Sequence, residues 1–504
     1  MTLQDNLQSI LSDKHAKIWF EDSLYCMSQL ADRVSQLGEW LAQQELQQSP
    51  VAICLPNSPE LLCWQMATFL TGATLLPIIY DEPDEFILKA VTLTQAKLLI
   101  ISKERRQNIE DSQTEATKIV AVDVDHENLR IRSATNDASV TLGNVVRQVD
   151  SDQLGMVIFS SGTSGTMKGI MHSQASILAF VENLATVLSA RKRMSYLVAQ
   201  PMGHIGGIVT SLLTLLFSGT VILLRQFETN AYLKTLKAHK PTHINLHTPL
   251  FYDIVDIDNL DRDSFSNIEC CFAAGDNLAT ELPQRFTDLT GAKMRTGYGM
   301  SEIGIVTVNM TPYGSHAGSV GYCVSGMSVQ IRDKNKSLTQ SGQVGEIWAK
   351  SPVQCLGYWQ MAELNAETID GQWFRTGDAG YANADGEYWY VGRLSTAIDL
   401  GGQTLFPSQI EKVLYALPFI NKACATSAPR SDKSQLILYV EITREAQAKD
   451  APAQEWVDML GRLLHDELAI EPRRIDIRLL AKMPLNMTGK IDRAAIKDMA
   501  KHLV

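Results

Sequence analysis

The chain has 504 residues, of which 45% are hydrophobic and 20% charged, and its formal net charge is −11. Such a length exceeds one hydrophobic core and predicts at least two domains of an ordinary globular protein. The negative charge excludes a broad nucleic-acid or anionic-membrane surface while allowing a local basic pocket.

Met1-Thr2-Leu3-Gln4-Asp5-Asn6 lacks the basic start and apolar core of a secretion signal. From Val51 onward, short apolar segments alternate with amphipathic ones, the pattern of parallel sheet flanked by helices. Val51-Ala52-Ile53-Cys54-Leu55 is expected as a strand, and Pro59 opens a helix through Trp64 and Phe69. A strand at 75–79, a helix at 85–93 and strands at 98–101 and 119–122 follow, with 104–113 and 123–139 as polar connecting loops. The apolar run 154–159 predicts a buried strand, and 177–188 a helix capped by Ser173 or Ser176. Strands at 196–199, 221–224, 243–246 and 268–272 continue the alternation. The run 205–224 is broken by Gly206, Gly207, Ser211, Ser218 and Gly219, so it predicts helix, turn and strand, not a membrane span. The first half is therefore expected to hold two doubly wound sheets, whose ligands collect beyond the carboxyl ends of strands. That singles out the loops after Phe159, Ala199, Leu246, Phe272 and Thr296.

Around Gly318 short strands with Gly and Lys-Asn turns predict a small β-barrel, and Asp385-Gly386 a hairpin turn. A helix at 407–417, a strand at 435–442, a helix at 455–468 and a strand at 475–480 make a compact α+β domain. The expected fold is thus α/β, a large N-terminal domain of two doubly wound sheets plus a small β-barrel, followed by a small mobile α+β C-terminal domain. Its boundary lies near Gly392-Arg393-Leu394-Ser395. Eight cysteines with no CxxC pair indicate neither a disulfide framework nor a zinc site, and predict free thiols in a reducing cytoplasm.

Several stretches carry chemistry. Phe159-Ser160-Ser161-Gly162-Thr163-Ser164-Gly165-Thr166-Met167-Lys168-Gly169 combines three glycines, a run of hydroxyls and a lysine. Glycines let successive N–H groups face one anion, and hydroxyls and a cation suit phosphate oxygens. It is not the common P-loop, since Met167 precedes and Gly169 follows the lysine. By itself the run fits a phosphate cradle and a flexible surface loop equally well. In Gly297-Tyr298-Gly299-Met300-Ser301-Glu302 a nucleotide site would find a stacking face, a phosphate donor and a Mg²⁺ ligand. A strand-to-helix turn with Glu302 in the first helical turn accounts for it equally. Ala273-Ala274-Gly275-Asp276 suits either an adenine-lining loop or a helix N-cap. In Trp373-Phe374-Arg375-Thr376-Gly377-Asp378 the carboxylate either accepts ribose hydroxyls or starts a turn, and Arg393 is a phosphate ligand or a solvated strand end. In Thr488-Gly489-Lys490 the lysine either neutralises a carboxylate–phosphate junction or stands exposed at a helix start.

The order and spacing of these stretches, from about Leu154 to Arg493, resemble the adenylate-forming superfamily of acyl- and aryl-CoA synthetases, carrier-protein adenylation domains and luciferases. The resemblance implies that ATP and a carboxylic acid give an acyl-adenylate and pyrophosphate, after which a thiol displaces AMP. By position it implies that Ser160, Ser161, Gly162, Thr163, Ser164, Gly165 and Lys168 hold the departing pyrophosphate. Ser301 would contact the α-phosphate, Glu302 would bind Mg²⁺, and Ala274, Gly275, Asp276, Tyr298 and Gly299 would surround the nucleotide and acid. Asp378 and Arg393 would fix ribose and phosphate, and Lys490 would bridge the carboxylate and α-phosphate. His204, in Pro201-Met202-Gly203-His204-Ile205-Gly206-Gly207, matches a position that lines the acid pocket and gates the thiol tunnel, with His247 as a further polar contact. No aspartate stands close behind His204 to bind an α-ammonium, so an aryl or aliphatic acid is expected rather than an amino acid.

The resemblance further implies an N-terminal domain of residues 1–392, a hinge at 393–395 and a mobile domain of 396–504, with Ser395 where relatives carry Asp or Lys. Serine can absorb a dihedral change, so rotation is expected to survive with altered bias. The loop Gly401-Gly402-Gln403-Thr404-Leu405-Phe406-Pro407 resembles the segment that lines the thiol tunnel, which favours CoA as acceptor. A carrier protein's phosphopantetheine arm is the alternative acceptor, and a non-catalytic nucleotide-binding relative is the rival from another class. No nucleic-acid partner is expected, the compartment is expected to be cytoplasmic, and the assembly state is open, a homodimer included.

Overall fold

The computed structural model describes residues 1–44, 46, 49–110, 117–122, 146, 149–161, 167–275, 281–310, 316, 318–400, 403–430, 433–447 and 452–501. Two large sheets dominate. The smaller runs, in spatial order, Gly357–Tyr358, Met167–Ser173, Leu154–Ser161, Thr74–Pro77, Pro50–Cys54, Leu98–Ser102 and Lys118–Val122. Its middle is parallel, and the Met167–Ser173 strand returns antiparallel on Leu154–Ser161. Sequence expectation placed a loop and then a helix after Phe159. The structure inserts this second strand first, and the helix Gln174–Val187 starts at the Ser173 cap, whose Oγ accepts from Ser176 N at 3.1 Å.

The larger sheet has a parallel part, Lys17–Phe20, Thr220–Leu223, Ser195–Val198, His243–His247, Cys270–Ala274 and Met294–Met300. It continues antiparallel through Gly304–Asn309, Gly321–Cys323, Glu387–Arg393, Trp373–Ala382, Gly345–Lys350 and Ser328–Arg332. The short strands expected as a barrel therefore grow from the edge of the second sheet. Between the sheets, one core joins Val51 and Ile53 of the smaller to Tyr196, Val198 and Val221 of the larger. The helix Pro59–Leu70 lies in this core with every residue buried, which explains why it is mostly apolar round its circumference, Glu60 and Gln65 being paired with Arg33 and with Met202 O. Ser58 caps it, accepting from Leu61 N at 3.1 Å, and Pro59 occupies its first turn.

The C-terminal part follows a 3₁₀ turn, Leu394–Thr396, that contains Ser395. Its sheet Ile420–Arg430, Lys433–Ile442 and Ile475–Leu479 packs with helices Pro407–Tyr415, Ala453–Leu468 and Arg493–Lys501. Leu436, Leu438 and Ile410 share one core with Phe251, Ile254 and Phe286 of the N-terminal part. Two further expectations are corrected. Residues expected as loop from Glu104 belong to a helix, Lys103–Glu110, and the strand expected to end near Thr296 runs on to Met300. All eight cysteines are free, and among the described residues no helix is long and apolar enough to cross a membrane.

Candidate active site

The glycine-rich run connects two antiparallel strands whose register pairs Ser160 with Lys168 and Ser161 with Met167. Gly162, Thr163, Ser164, Gly165 and Thr166 lie outside the described residues, as does Asp276. Ser160 and Ser161 end the outgoing strand, and Lys168 stands at the start of the return. The edge strand Gly357–Tyr358 pairs with that return, Tyr358 opposite Ile170. Its ring lies under Lys168, with Nζ 5.4 Å from the centroid, and its hydroxyl donates to Glu302 Oε1 at 3.0 Å. One tyrosine thus spans from the cradle's cation to the carboxylate expected at the metal.

Glu302 sits in the turn between strands Met294–Met300 and Gly304–Asn309, so the turn joins strand to strand, not strand to helix. A bulge between Tyr298 and Gly299 bends the hairpin. There a Cβ on Gly299 would lie 2.2 Å from Gly304 O, so only glycine fits. Behind the turn, buried His172 contacts Ser301 O through Nε2 at 2.8 Å and Ser176 Oγ through Nδ1 at 3.0 Å. Burial lowers its pKa to about 4, so the ring is neutral near pH 7. A carbonyl only accepts, so Nε2 carries the hydrogen and Nδ1 accepts from the Ser176 hydroxyl. His172 therefore ties the strand bearing Lys168 to the turn bearing Ser301 and Glu302.

On the other side of the hairpin, Tyr298 donates its hydroxyl to Asp378 Oδ2 at 2.7 Å and stacks on Tyr390 at 5.7 Å. Asp378 and Arg393 are cross-strand partners, with Arg393 Nε 3.0 Å from Oδ1. Among the described residues no donor is squarely aimed at that buried oxygen, which the Arg393 charge faces at this distance. Burial raises the carboxyl pKa of Asp378, opposed by Arg393 and by the Tyr298 hydrogen bond. Burial also raises that of Glu302, opposed by its own backbone N–H, Tyr358 and Arg393, while Asp378 adds to the rise. Glu302, Asp378 and Arg393 thus share one electrostatic environment.

A second group forms at the carboxyl ends of the larger sheet. His204 caps the helix Ile205–Leu216, its Nδ1 accepting from Gly206 N at 3.1 Å. Burial, with Lys490 adding, lowers its pKa to about 3. The neutral ring therefore carries its hydrogen on Nε2 and can donate but not act as a base. The His247 ring stands edge-on, 6.2 Å away. Gly275, at φ +91°, leaves room for both neighbours, since a Cβ there would lie 2.3 Å from His247 Nδ1 and 2.8 Å from Lys490 Cε. Ala274 precedes it at the end of its strand. Lys490 projects from a turn folded on Asn486 Oδ1, which accepts from Thr488 N at 3.0 Å, Thr488 Oγ1 at 2.7 Å and Lys490 N at 3.1 Å. Gly489, at φ +86°, presses on Leu250, where a Cβ would lie 2.7 Å from Cδ1.

Among the described residues no group of three or more His, Cys, Asp or Glu is arranged around a metal position. The single carboxylate of Glu302 still fits Mg²⁺, which takes one or two protein carboxylates and completes its shell with phosphates and water. The structure thus assembles Lys168, Ser301, Glu302, Tyr298, Asp378 and Arg393 on one side, and His204, His247, Gly275 and Lys490 on the other. Tyr358 and His172 escaped sequence reading. The alternation Lys168-Gly169-Ile170-Met171-His172 was the available signal for a strand placing Lys168 and His172 on one face.

A profile of the family described as AMP-binding enzyme matches residues 10–359. A putative acyl–CoA ligase, YdaB, of Bacillus subtilis is 23% identical over 481 residues, covering 93% of each chain. The 4-coumarate–CoA ligase-like 2 of Arabidopsis thaliana is 27% identical over 365 residues, 70% of this chain and 63% of its own. Among solved structures, the anthranilate CoA ligase AuaEII in complex with anthranoyl-AMP superimposes with a TM-score of 0.87 at 19% identity, over 100% of this chain and 98% of that one. ATP-bound MatB from Rhodopseudomonas palustris gives 0.85 at 22% identity, over 100% of both chains. With its two sheets and a profile match over most of its length, the chain belongs to the AMP-binding enzymes, the adenylate-forming acyl-CoA synthetase family.

Proposed function

We propose that the protein joins a carboxylic acid, aryl or aliphatic, to ATP as acyl-AMP with release of pyrophosphate, and then transfers the acyl group to the thiol of CoA. The observation that carries this is the convergence of Lys490 on His247 and Gly275, at the mouth of the same sheet whose hairpin bears Ser301 and Glu302. In the first step a carboxylate oxygen bonds to the α-phosphorus and the bond from phosphorus to the bridging oxygen breaks, the electron pair leaving with pyrophosphate. The acid is already anionic, so alignment and charge stabilisation suffice without a general base. Lys168 and the hydroxyls of its hairpin hold the pyrophosphate oxygens, and Ser301 meets the α-phosphate. Asp378 accepts from ribose and Arg393 faces the phosphate. Lys490 spans the acid oxygen and the α-phosphate, and His204 offers its Nε2–H to the acid side. Mg²⁺ at Glu302 would neutralise phosphate charge when bound. In the second step a thiolate sulfur bonds to the acyl carbon and AMP leaves with the mixed-anhydride oxygen.

Residues 396–504 act in this scheme as a domain that turns about 393–395 between the two steps, withdrawing Lys490. Similarity to named CoA ligases, and to a structure holding anthranoyl-AMP, supports the acid and the acceptor. Acid-dependent exchange of labelled pyrophosphate into ATP tests the first step, and its absence across a broad acid panel would refute the function. Hydroxylamine trapping over that panel identifies the acid. AMP release with free CoA against candidate carrier proteins decides the acceptor, and turnover with carrier protein alone would replace CoA.

A further inference from the structure

His204 is carried by the segment 200–204, which leaves the carboxyl end of the Ser195–Val198 strand in the larger sheet. That segment is gripped from the smaller sheet. Asn57 follows the strand Pro50–Cys54 and is only 4% exposed. Its Nδ2 donates to Gln200 O at 2.9 Å and to Leu224 O at 3.0 Å, and its Oδ1 accepts from Met202 N at 2.6 Å. One amide therefore bonds beyond the carboxyl ends of two neighbouring strands of the larger sheet and also the loop between them and His204. Gln65, in the helix between the sheets and 1% exposed, donates Nε2 to Met202 O at 2.7 Å. Both backbone groups of Met202 are thus held by side chains from the other sheet. At Gly203 the chain lies on the Ile78–Ile79 peptide so closely that a Cβ would come within 2.5 Å of it. The loop then closes on itself, His204 N donating to Pro201 O at 3.0 Å.

We propose, building on the acid-activating function above, that Asn57 and Gln65 are positioning residues for acid recognition. They lock the His204 loop to the sheet that carries the phosphate hairpin. The Pro50–Cys54 strand that leads into Asn57 is joined to the Leu154–Ser161 strand through Thr74–Pro77. The sheet that holds ATP phosphates therefore also fixes the group that meets the acid, so the gap between carboxylate and α-phosphate is set within one rigid body. Buried amides with this many fixed partners act as a unit, and removing one loosens the loop rather than the sheet.

The test uses the full chain with Gln65→Met, which keeps side-chain volume and also removes a buried Oε1 that has no hydrogen-bond partner among the described residues, alongside Asn57→Ser. Hydrogen exchange without substrates should quicken at least tenfold in peptides covering 199–209, while 154–161 is unchanged. In pyrophosphate exchange the acid KM should rise five- to twentyfold, with the ATP KM within twofold. Unchanged exchange at 199–209 overturns the proposal, and so does acceleration spread equally to 154–161, which marks a general structural role. Equal movement of the acid and ATP KM values overturns the link to acid recognition. If Asn57→Ser does not fold, Gln65→Met alone decides. A wild-type protein with no acid-dependent exchange refutes the function, while hydrogen exchange still upholds or rejects the lock.

Discussion

In the proposed reaction Lys490 and Tyr358 would do different work. A cation at the carboxylate–phosphate junction matters only while charge builds there, so Lys490→Ala should lower pyrophosphate exchange by about 10²–10³-fold. Thioester formation from supplied acyl-adenylate should stay near wild type, and equal loss in both steps would refute the assignment. Tyr358→Phe keeps the ring beneath Lys168 and removes only the hydroxyl on Glu302. Deprived of that donor, the carboxylate is less well oriented. Direct Mn²⁺ titration of the ATP complex and the Mg²⁺ midpoint of exchange should both shift upward several-fold, while the ATP KM at saturating metal holds. An unmoved midpoint would reduce Tyr358 to packing.

Among the elements, the short helix Thr248–Val255 links the residues around Lys490 to contacts with the C-terminal part, so in the proposed function it would couple chemistry to docking. His247 at its head faces Lys490 and Gly275, and Leu250 receives Gly489. Farther along, Tyr252 stacks on Tyr415 at 4.7 Å, Asp253 pairs with buried Lys422, and Asp256 Oδ2 accepts from Arg444 N at 3.2 Å. Lys422 also has Glu441 at 3.4 Å within its own sheet, so Asp253→Ala removes a contact between the two parts without leaving the ammonium alone. That variant should weaken docking by about 1–2 kcal/mol, or roughly 5–30-fold in population. Pyrophosphate exchange should fall accordingly, while the thioester step from acyl-adenylate is unchanged or faster. Loss of both steps to the same degree would show that the pair does not govern docking. The helix–strand alternation from Val51 was legible because parallel strands buried on both faces are unbroken apolar runs. Met167–Ser173 escaped because a hairpin partner rich in Gly, Met and His has no strand composition of its own and is fixed by pairing. The turn at Glu302 was expected to lead from strand to helix, whereas Gly304 at φ +72° permits a strand-to-strand reversal.

At the scale of the whole molecule, buried neutral histidines make stability pH-dependent. In the unfolded chain His172 takes up a proton below about pH 6.5. In the folded protein it does so only near pH 4, so between these values the unfolded state binds more protons and stability falls as pH falls. Glu302 and Asp378, with raised folded pKa values, act in the opposite direction, so a paired comparison is needed. His172→Gln should destabilise at pH 7.5 by about 1–3 kcal/mol through lost hydrogen bonds. By pH 5 that deficit should shrink by about 2 kcal/mol, because only wild type then resists protonation. A deficit constant with pH in chemical denaturation would contradict the neutral ring. The change of texture near Gly318 was readable in the short strands with Gly and Lys-Asn turns that follow it. The continuity of the barrel strands with the larger sheet was not, because strand neighbours distant in sequence leave no local pattern.

Anyone wishing to redesign the preferred acid would be drawn to His247, yet the helix it heads answers to two masters. A bulkier side chain there would press through Gly275 and Lys490 and tilt the seat of Tyr252 and Asp253, altering closure along with selectivity.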